Sequence, residues 1–115
     1  MSMNLYVEAE RPATVIVKGV EKQIKDRISF DLWQTPTTTT YEILAMEDKL
    51  QGYIDFVLYN SEDRDWPIYA DDDIFGQRDP IGYKTINSGK EHIQELNEWI
   101  KYCENEDYVI EWYYM

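Results

Sequence analysis

The chain has 115 residues with 23 Asp+Glu against 11 Lys+Arg, a formal net charge of −12, and it is 43% hydrophobic and 15% aromatic. That length fits one domain over residues 1–115 with a single core, the apolar content excludes disorder, and a field this negative opposes nucleic acid and anionic membrane. The charge is uneven: residues 61–115 hold 14 acidic and 5 basic side chains, residues 1–60 hold 9 and 6.

The opening Met1-Ser2-Met3-Asn4-Leu5 lacks a basic region followed by an apolar stretch, so the expectation is no signal peptide and a cytoplasmic location. No unbroken apolar run exceeds four residues, as in Phe56-Val57-Leu58-Tyr59, far short of a membrane span. Leu5-Tyr6-Val7 and Thr14-Val15-Ile16-Val17 read as short strands separated by Arg11-Pro12. Val20 and Ile24, with Glu21 and Lys25 four apart, fit either one helical turn or a strand extension. Arg27 to Trp33 alternates strictly, with Ile28, Phe30 and Leu32 inward.

Thr39 and Glu42 have the spacing of a capping box, which predicts a helix from about residue 40 with Ile43, Met46 and Leu50 inward and Gly52 closing it. Tyr53 to Tyr59 is β-branched and aromatic and reads as a mostly buried strand. Trp66-Pro67-Ile68-Tyr69 is a weaker strand whose proline places it at an edge. Ser88 and Glu91 form a second capping box, followed by a helix over about 89–104 with the apolar stripe Ile93, Leu96, Ile100 and Cys103. In the final strand, Tyr108, Ile110, Trp112 and Tyr114 share one face and Val109, Glu111 and Tyr113 the other.

These elements predict an α+β single domain: an antiparallel or mixed sheet with two helices packed on one face. From residue 27 the order strand, helix, strand, strand, helix, strand is that of the split βαβ, ferredoxin-like motif, preceded by an N-terminal hairpin. Such an order carries no function by itself.

No catalytic set assembles from these residues. His92 and Cys103, eleven apart on one helix, lie about 16 Å from each other, so they form no dyad; Cys103 completes an apolar stripe and His92 reads as an exposed helical histidine. One cysteine and one histidine leave a zinc site incomplete. Asp71-Asp72-Asp73 begins a stretch with partial EF-hand spacing, but Phe75 and Gly82 stand where oxygen ligands belong. An Asp71/Asp73 pair holding a metal with a phosphate substrate lacks a glycine-rich loop or a basic cluster to hold that phosphate. A carboxylate pair for glycoside chemistry has no residue pattern to support it. The sequence therefore calls for no cofactor, no metal and no enzymatic activity. The basic residues Lys18, Lys22, Lys25 and Arg27 are interleaved with Glu21 and Asp26, and no face fit for direct nucleic-acid binding follows.

What remains is a surface. Seventeen aromatics exceed the needs of a small core, and rings set among carboxylates suit protein recognition, the rings supplying contact energy and the charges steering. The expected partner-binding residues are Glu62, Asp63, Asp65, Trp66, Asp71, Asp72, Asp73, Asp79, Glu91, Glu95, Glu98 and Tyr113, with Tyr6 and Tyr59 as further exposed rings. The expected partner is a protein with a basic surface, commonly a nucleic-acid site, masked by carboxylates that stand in for phosphates. Phage anti-restriction and anti-CRISPR inhibitors and nuclease immunity proteins work by this physics. The competing expectations are a metal- or ligand-binding domain using Asp71 and Asp73, a homo-oligomer pairing through the Tyr-rich strand, and a merely solvated acidic surface.

Overall fold

The computed structural model describes residues 3–69 and 79–115, so Asp71, Asp72 and Asp73 lie outside the described residues. Strands β1 (Leu5–Val17) and β2 (Val20–Phe30) form one long antiparallel hairpin. Its two-residue turn is Lys18-Gly19, with φ of 52° and 77°. Positive φ at both positions matches the twist of antiparallel strands, and glycine takes it without strain. The ambiguous Val20–Ile24 segment is thus strand, because the turn that precedes it fixes its register.

Helices α1 (Thr37–Leu44) and α2 (Lys49–Tyr59) follow, then strands β3 (Arg64–Ile68) and β4 (Gly82–Ile86), helix α3 (Ser88–Asn105) and strand β5 (Val109–Tyr114). The fold is α+β, with antiparallel pairing throughout: a three-stranded sheet in the order β2-β1-β5, and a separate two-stranded sheet β3-β4. From β2 onward the order is strand, two helices, strand, strand, helix, strand, but not from the expected segments: 53–59 is helix and β4 is a strand that the sequence reading did not anticipate. No helix among the described residues is long and apolar enough to cross a membrane.

Three local expectations need correction. The segment Tyr53–Tyr59 is helix, not strand, so three helices are present where two were expected. Asp48 caps it by accepting from the Gln51 N–H at 3.0 Å, and Leu50, Tyr53 and Val57 then recur at helical spacing, Tyr53 and Val57 fully buried. Tertiary burial of that stripe outweighs the β propensity of the individual residues. Gly52 lies inside α2 and closes no helix; a Cβ there would collide with Met46 Sδ in the turn that separates α1 from α2. The Thr39–Glu42 capping box is not made either: α1 starts earlier, after Pro36, without a side-chain cap. The threonine run serves instead to tie the start of β1 to the helix. Thr35 Oγ1 accepts from Leu5 N–H at 3.3 Å, Thr37 Oγ1 accepts from Met3 N–H at 3.2 Å, and Thr40 Oγ1 donates to Met3 O at 3.0 Å.

The core forms where Leu5 and Ala9, on one face of β1, meet the helices. Leu5 packs with Ile43, Tyr53, Val57 and Leu96, and Ala9 with Cys103 and Tyr108; Trp99 touches both groups and joins them. The α3 stripe behaves as expected, with Leu96 and Cys103 fully buried and Ile93 and Ile100 partly so. The radius of gyration is 20.2 Å and the extents are 63 × 42 × 29 Å, against about 13 Å for a close-packed domain of this length. Two hairpins projecting from the core account for the excess.

Candidate protein-binding surface

Helix α2 ends at Tyr59, and the chain turns through Ser61, Glu62 and Asp63 into β3. Ser61 Oγ donates to Leu58 O at 3.0 Å, and buried Gly89 sits against Ser61 so closely that a Cβ there would collide with it. Asn87 holds the other strand. Its Oδ1 accepts from Lys90 N–H at 3.0 Å, capping α3, while its Nδ2 donates to Asp63 Oδ1 at 2.9 Å. The α3 cap therefore falls one residue before the expected Ser88, since an asparagine can accept and donate at once.

From this base the β3–β4 hairpin runs outward, with Asp65 opposite Thr85, Trp66 opposite Lys84 and Pro67 opposite Tyr83. Thr85 donates to Asp65 at 3.3 Å. Alternation along the pair sets Trp66 and Ile68 on one face and Pro67 and Tyr83 on the other. Trp66 is 62% exposed, Tyr83 64% and Ile81 71%, and Ile68 and Tyr69 are exposed as well. Large apolar side chains on both faces of a two-stranded ribbon have no core to enter. They form an exposed patch of the kind that marks an interaction surface.

Of the expected site residues, Glu62, Asp63, Asp65 and Trp66 come together at this hairpin, and exposed Asp79 returns toward it. Glu91, Glu95 and Glu98 share one exposed face in the first half of α3, which leaves the hairpin directly after Asn87. Tyr113 is elsewhere. It lies on the outer face of the three-stranded sheet, opposite Tyr6, stacked on it with ring centroids 5.7 Å apart and donating to Glu8 at 3.4 Å. Burial first, and then the Glu8 carboxylate, raise its hydroxyl pKa. Glu111 faces Glu8 directly across the same sheet. Sequence reading missed Tyr83, Ile81 and strand β4 altogether; the alternation Tyr83-Lys84-Thr85-Ile86 beside Gly82 was the available signal.

His92 is half-buried, not exposed. Trp33 N–H donates to Tyr53 Oη at 2.7 Å, and Tyr53 Oη and His92 Nε2 share a hydrogen bond, also of 2.7 Å. Trp33 stacks on the His92 ring and Phe30 tilts against it. Burial pushes the Tyr53 pKa up to about 12 and lowers that of His92. The pair is built into the packing, and the Glu95 carboxylate one turn along α3 acts against the effect of burial on His92. Burial also raises the Cys103 thiol, leaving it an inert core group. Among the described residues no cluster of three or more His, Cys, Asp or Glu side chains is placed to hold a metal ion.

Where the long hairpin leaves the core, Arg11 lies 4.3 Å over the Tyr108 ring, with Nε 3.4 Å from Asp26 and Nη1 donating to Glu106 O at 2.7 Å. Tyr108 donates to Asp26 at 2.6 Å, and that bond, with burial, moves its pKa up to about 12. Comparison with family models, with curated proteins and with solved structures finds no significant match to this chain.

Proposed function

We propose that this is a non-enzymatic binding protein that docks the β3–β4 hairpin, flanked by its carboxylates, onto a basic surface of a protein partner and masks it. One observation carries the reading: Trp66, Ile68, Ile81 and Tyr83 are exposed on both faces of a ribbon whose base is pinned by Asn87 and Gly89. Rigidly presented rings give contact energy at low entropic cost, and Glu62, Asp63, Asp65 and Asp79 around them add steering and reject acidic surfaces. A nucleic-acid-binding face is the basic surface that such carboxylates fit best, by standing where phosphates would.

The test is affinity capture from host lysate at low and high salt with the wild-type chain, Trp66→Ala and Tyr83→Ala side by side, followed by association kinetics with whatever is retained. The expected result is a basic partner held by the wild type, lost with either substitution, and slower to associate as salt rises. Equal capture by all three chains, or a partner indifferent to salt, would overturn the reading.

A further inference from the structure

The β1–β2 hairpin extends well beyond its third strand. β5 stops where Val109 faces Glu10, which on its other side pairs with Arg27, and from Arg11 to Asp26 the chain is a two-stranded arm. That arm holds four of the eleven Lys+Arg and only two of the 23 Asp+Glu, so it carries +2 and the remainder −14. On the face continuous with the core it presents Ala13, Val15, Val17, Val20 and Ile24, with Lys22 and the Arg11–Asp26 pair among them; Val20 is 59% exposed and Ile24 44%.

The two edges of the arm differ. Asn4 and Met115 exchange backbone hydrogen bonds in both directions, at 3.1 and 3.2 Å, so the even-numbered residues of β1 bond toward β5 and the odd-numbered ones toward β2. Pro12 is even. It stands on the outer edge of β1, where its missing N–H prevents another strand from adding. On β2 the same alternation turns the N–H and C=O groups of Glu21, Gln23, Lys25 and Arg27 outward, and no proline interrupts them.

We propose that this β2 edge is a self-recognition site, through which two copies of the chain pair antiparallel about a two-fold axis at Ile24. The sequence Val20-Glu21-Lys22-Gln23-Ile24-Lys25-Asp26-Arg27-Ile28 is complementary to itself in that register. Glu21 meets the partner's Arg27, Lys22 meets the partner's Asp26, Gln23 meets the partner's Lys25, and Val20 meets the partner's Ile28. Ile24 meets its own copy. The hydrogen-bonding positions coincide as well, because the facing pairs Glu21/Arg27 and Gln23/Lys25 are the outward-pointing ones. Neighbouring registers lose this match. A shift of one residue either way faces like charges, Lys22 with Lys25 and Glu21 with Asp26, or Lys22 with Arg27; centring on Lys25 places two lysines on the axis, and centring on Gln23 sets Val20 against Asp26 and Lys22 against Ile24. Opposite-charge cross-strand pairs stabilise and like pairs destabilise, so charge selects the register. A two-fold normal to the sheet also keeps both helical layers on one side. The exposed apolar face of each arm then lies beside the partner's core, near Ile28. This surface is separate from the β3–β4 hairpin and does not depend on the function proposed for it.

Two measurements decide it on the full chain. In an antiparallel non-hydrogen-bonded pair the facing residues have Cα atoms about 4.5 Å apart, close enough for a disulfide. Ile24→Cys should therefore give a covalent dimer under mild oxidation, and Lys22→Cys should not. In the second, Glu21→Arg and Arg27→Glu each set like charges across both symmetry-related pairs and should each weaken the dimer about tenfold. An equimolar mixture of the two restores both opposite-charge pairs, and its mass by sedimentation equilibrium should return to that of the wild-type dimer. A wild-type chain that stays monomeric to millimolar concentration would overturn the proposal. So would equal cross-linking at both cysteine positions, or charge variants that the mixture fails to rescue.

Discussion

The β1–β2 arm and the β3–β4 hairpin leave the same core, yet they are built for different contacts. The arm is a regular continuation of the main sheet, closed by a two-residue turn and biased to positive charge. In the dimer proposed above its backbone edge is the recognition element, and a repeating ladder demands a regular partner. The β3–β4 hairpin has five-residue strands, exposed rings on both faces and a surround of carboxylates. In the binding role proposed for it, its side chains are the recognition element, and they suit an irregular surface. Among the described residues neither the arm beyond Glu10 nor the β3–β4 hairpin holds a fully buried side chain, so the core between them carries the stability while the hairpins are free to specialise.

The largest effect should follow from breaking that core. Leu96 is fully buried among Leu5, Ile43, Tyr53 and Val57, and Leu96→Ala should cost about 2–5 kcal/mol in urea denaturation, the range for a truncated leucine in a packed interior. Trp66→Ala should cost less than about 0.5 kcal/mol, as surface changes do. Similar losses for the two would erase the distinction between core and hairpin.

Next is Tyr53→Phe. It removes the hydroxyl that accepts from Trp33 N–H and shares a hydrogen bond with His92 Nε2, leaving two partly buried groups without their partner. A loss of about 1–3 kcal/mol is expected, the cost of unsatisfied buried polar groups, measured by chemical denaturation with the helical signal as reference.

How much of this was legible depended on which forces the residues report. The α3 stripe was readable because Ile93, Leu96, Ile100 and Cys103 fall on one face and a strong cap precedes them. The β5 faces were readable from simple alternation. Tyr53–Tyr59 was not, because a run of large apolar residues fits a buried strand and a buried helix alike; Asp48, capping Gln51, was the one local cue to the helix. The hairpin site was half legible. Glu62, Asp63, Asp65 and Trp66 stood out by charge and exposure, but Tyr83 joins them only through a pairing across residues 69–81, which no local pattern encodes. Tyr113 was read as exposed because its face of β5 was legible, whereas its partner Tyr6, more than a hundred residues away, was not.

The same His92 contact predicts a pH dependence. Burial lowers the folded-state pKa of His92 below its unfolded value of about 6.5. Between the two values the unfolded chain binds more protons, so stability rises with pH through that interval. The contribution is complete above about pH 6.5 and is lost as pH falls toward the folded-state pKa. Relief of mutual carboxylate repulsion acts in the opposite direction on acidification, so the measurement is a difference: unfolding free energy against pH for the wild type and for His92→Gln, which keeps an acceptor for Tyr53. The wild type should lose more stability than the variant on going from pH 7.5 to pH 5. Parallel curves would mean that His92 is solvated and that the hydrogen bond to Tyr53 is not formed.

The smallest effect lies on the outer face of the main sheet, and it separates that face from both hairpins. Glu8 and Glu111 face each other directly between β1 and β5, a like-charge pair that costs stability unless something positive covers it. Glu111→Lys turns the pair into an attractive one without touching the Tyr6–Tyr113 stack. A free chain should gain about 0.2–1 kcal/mol, the range for a cross-strand charge pair, and the gain should shrink as salt rises because both groups are near solvent. A destabilised variant would mean that Glu111 already meets a cation within the folded protein or its dimer, and the outer sheet face would then be a binding surface in its own right beside the hairpin.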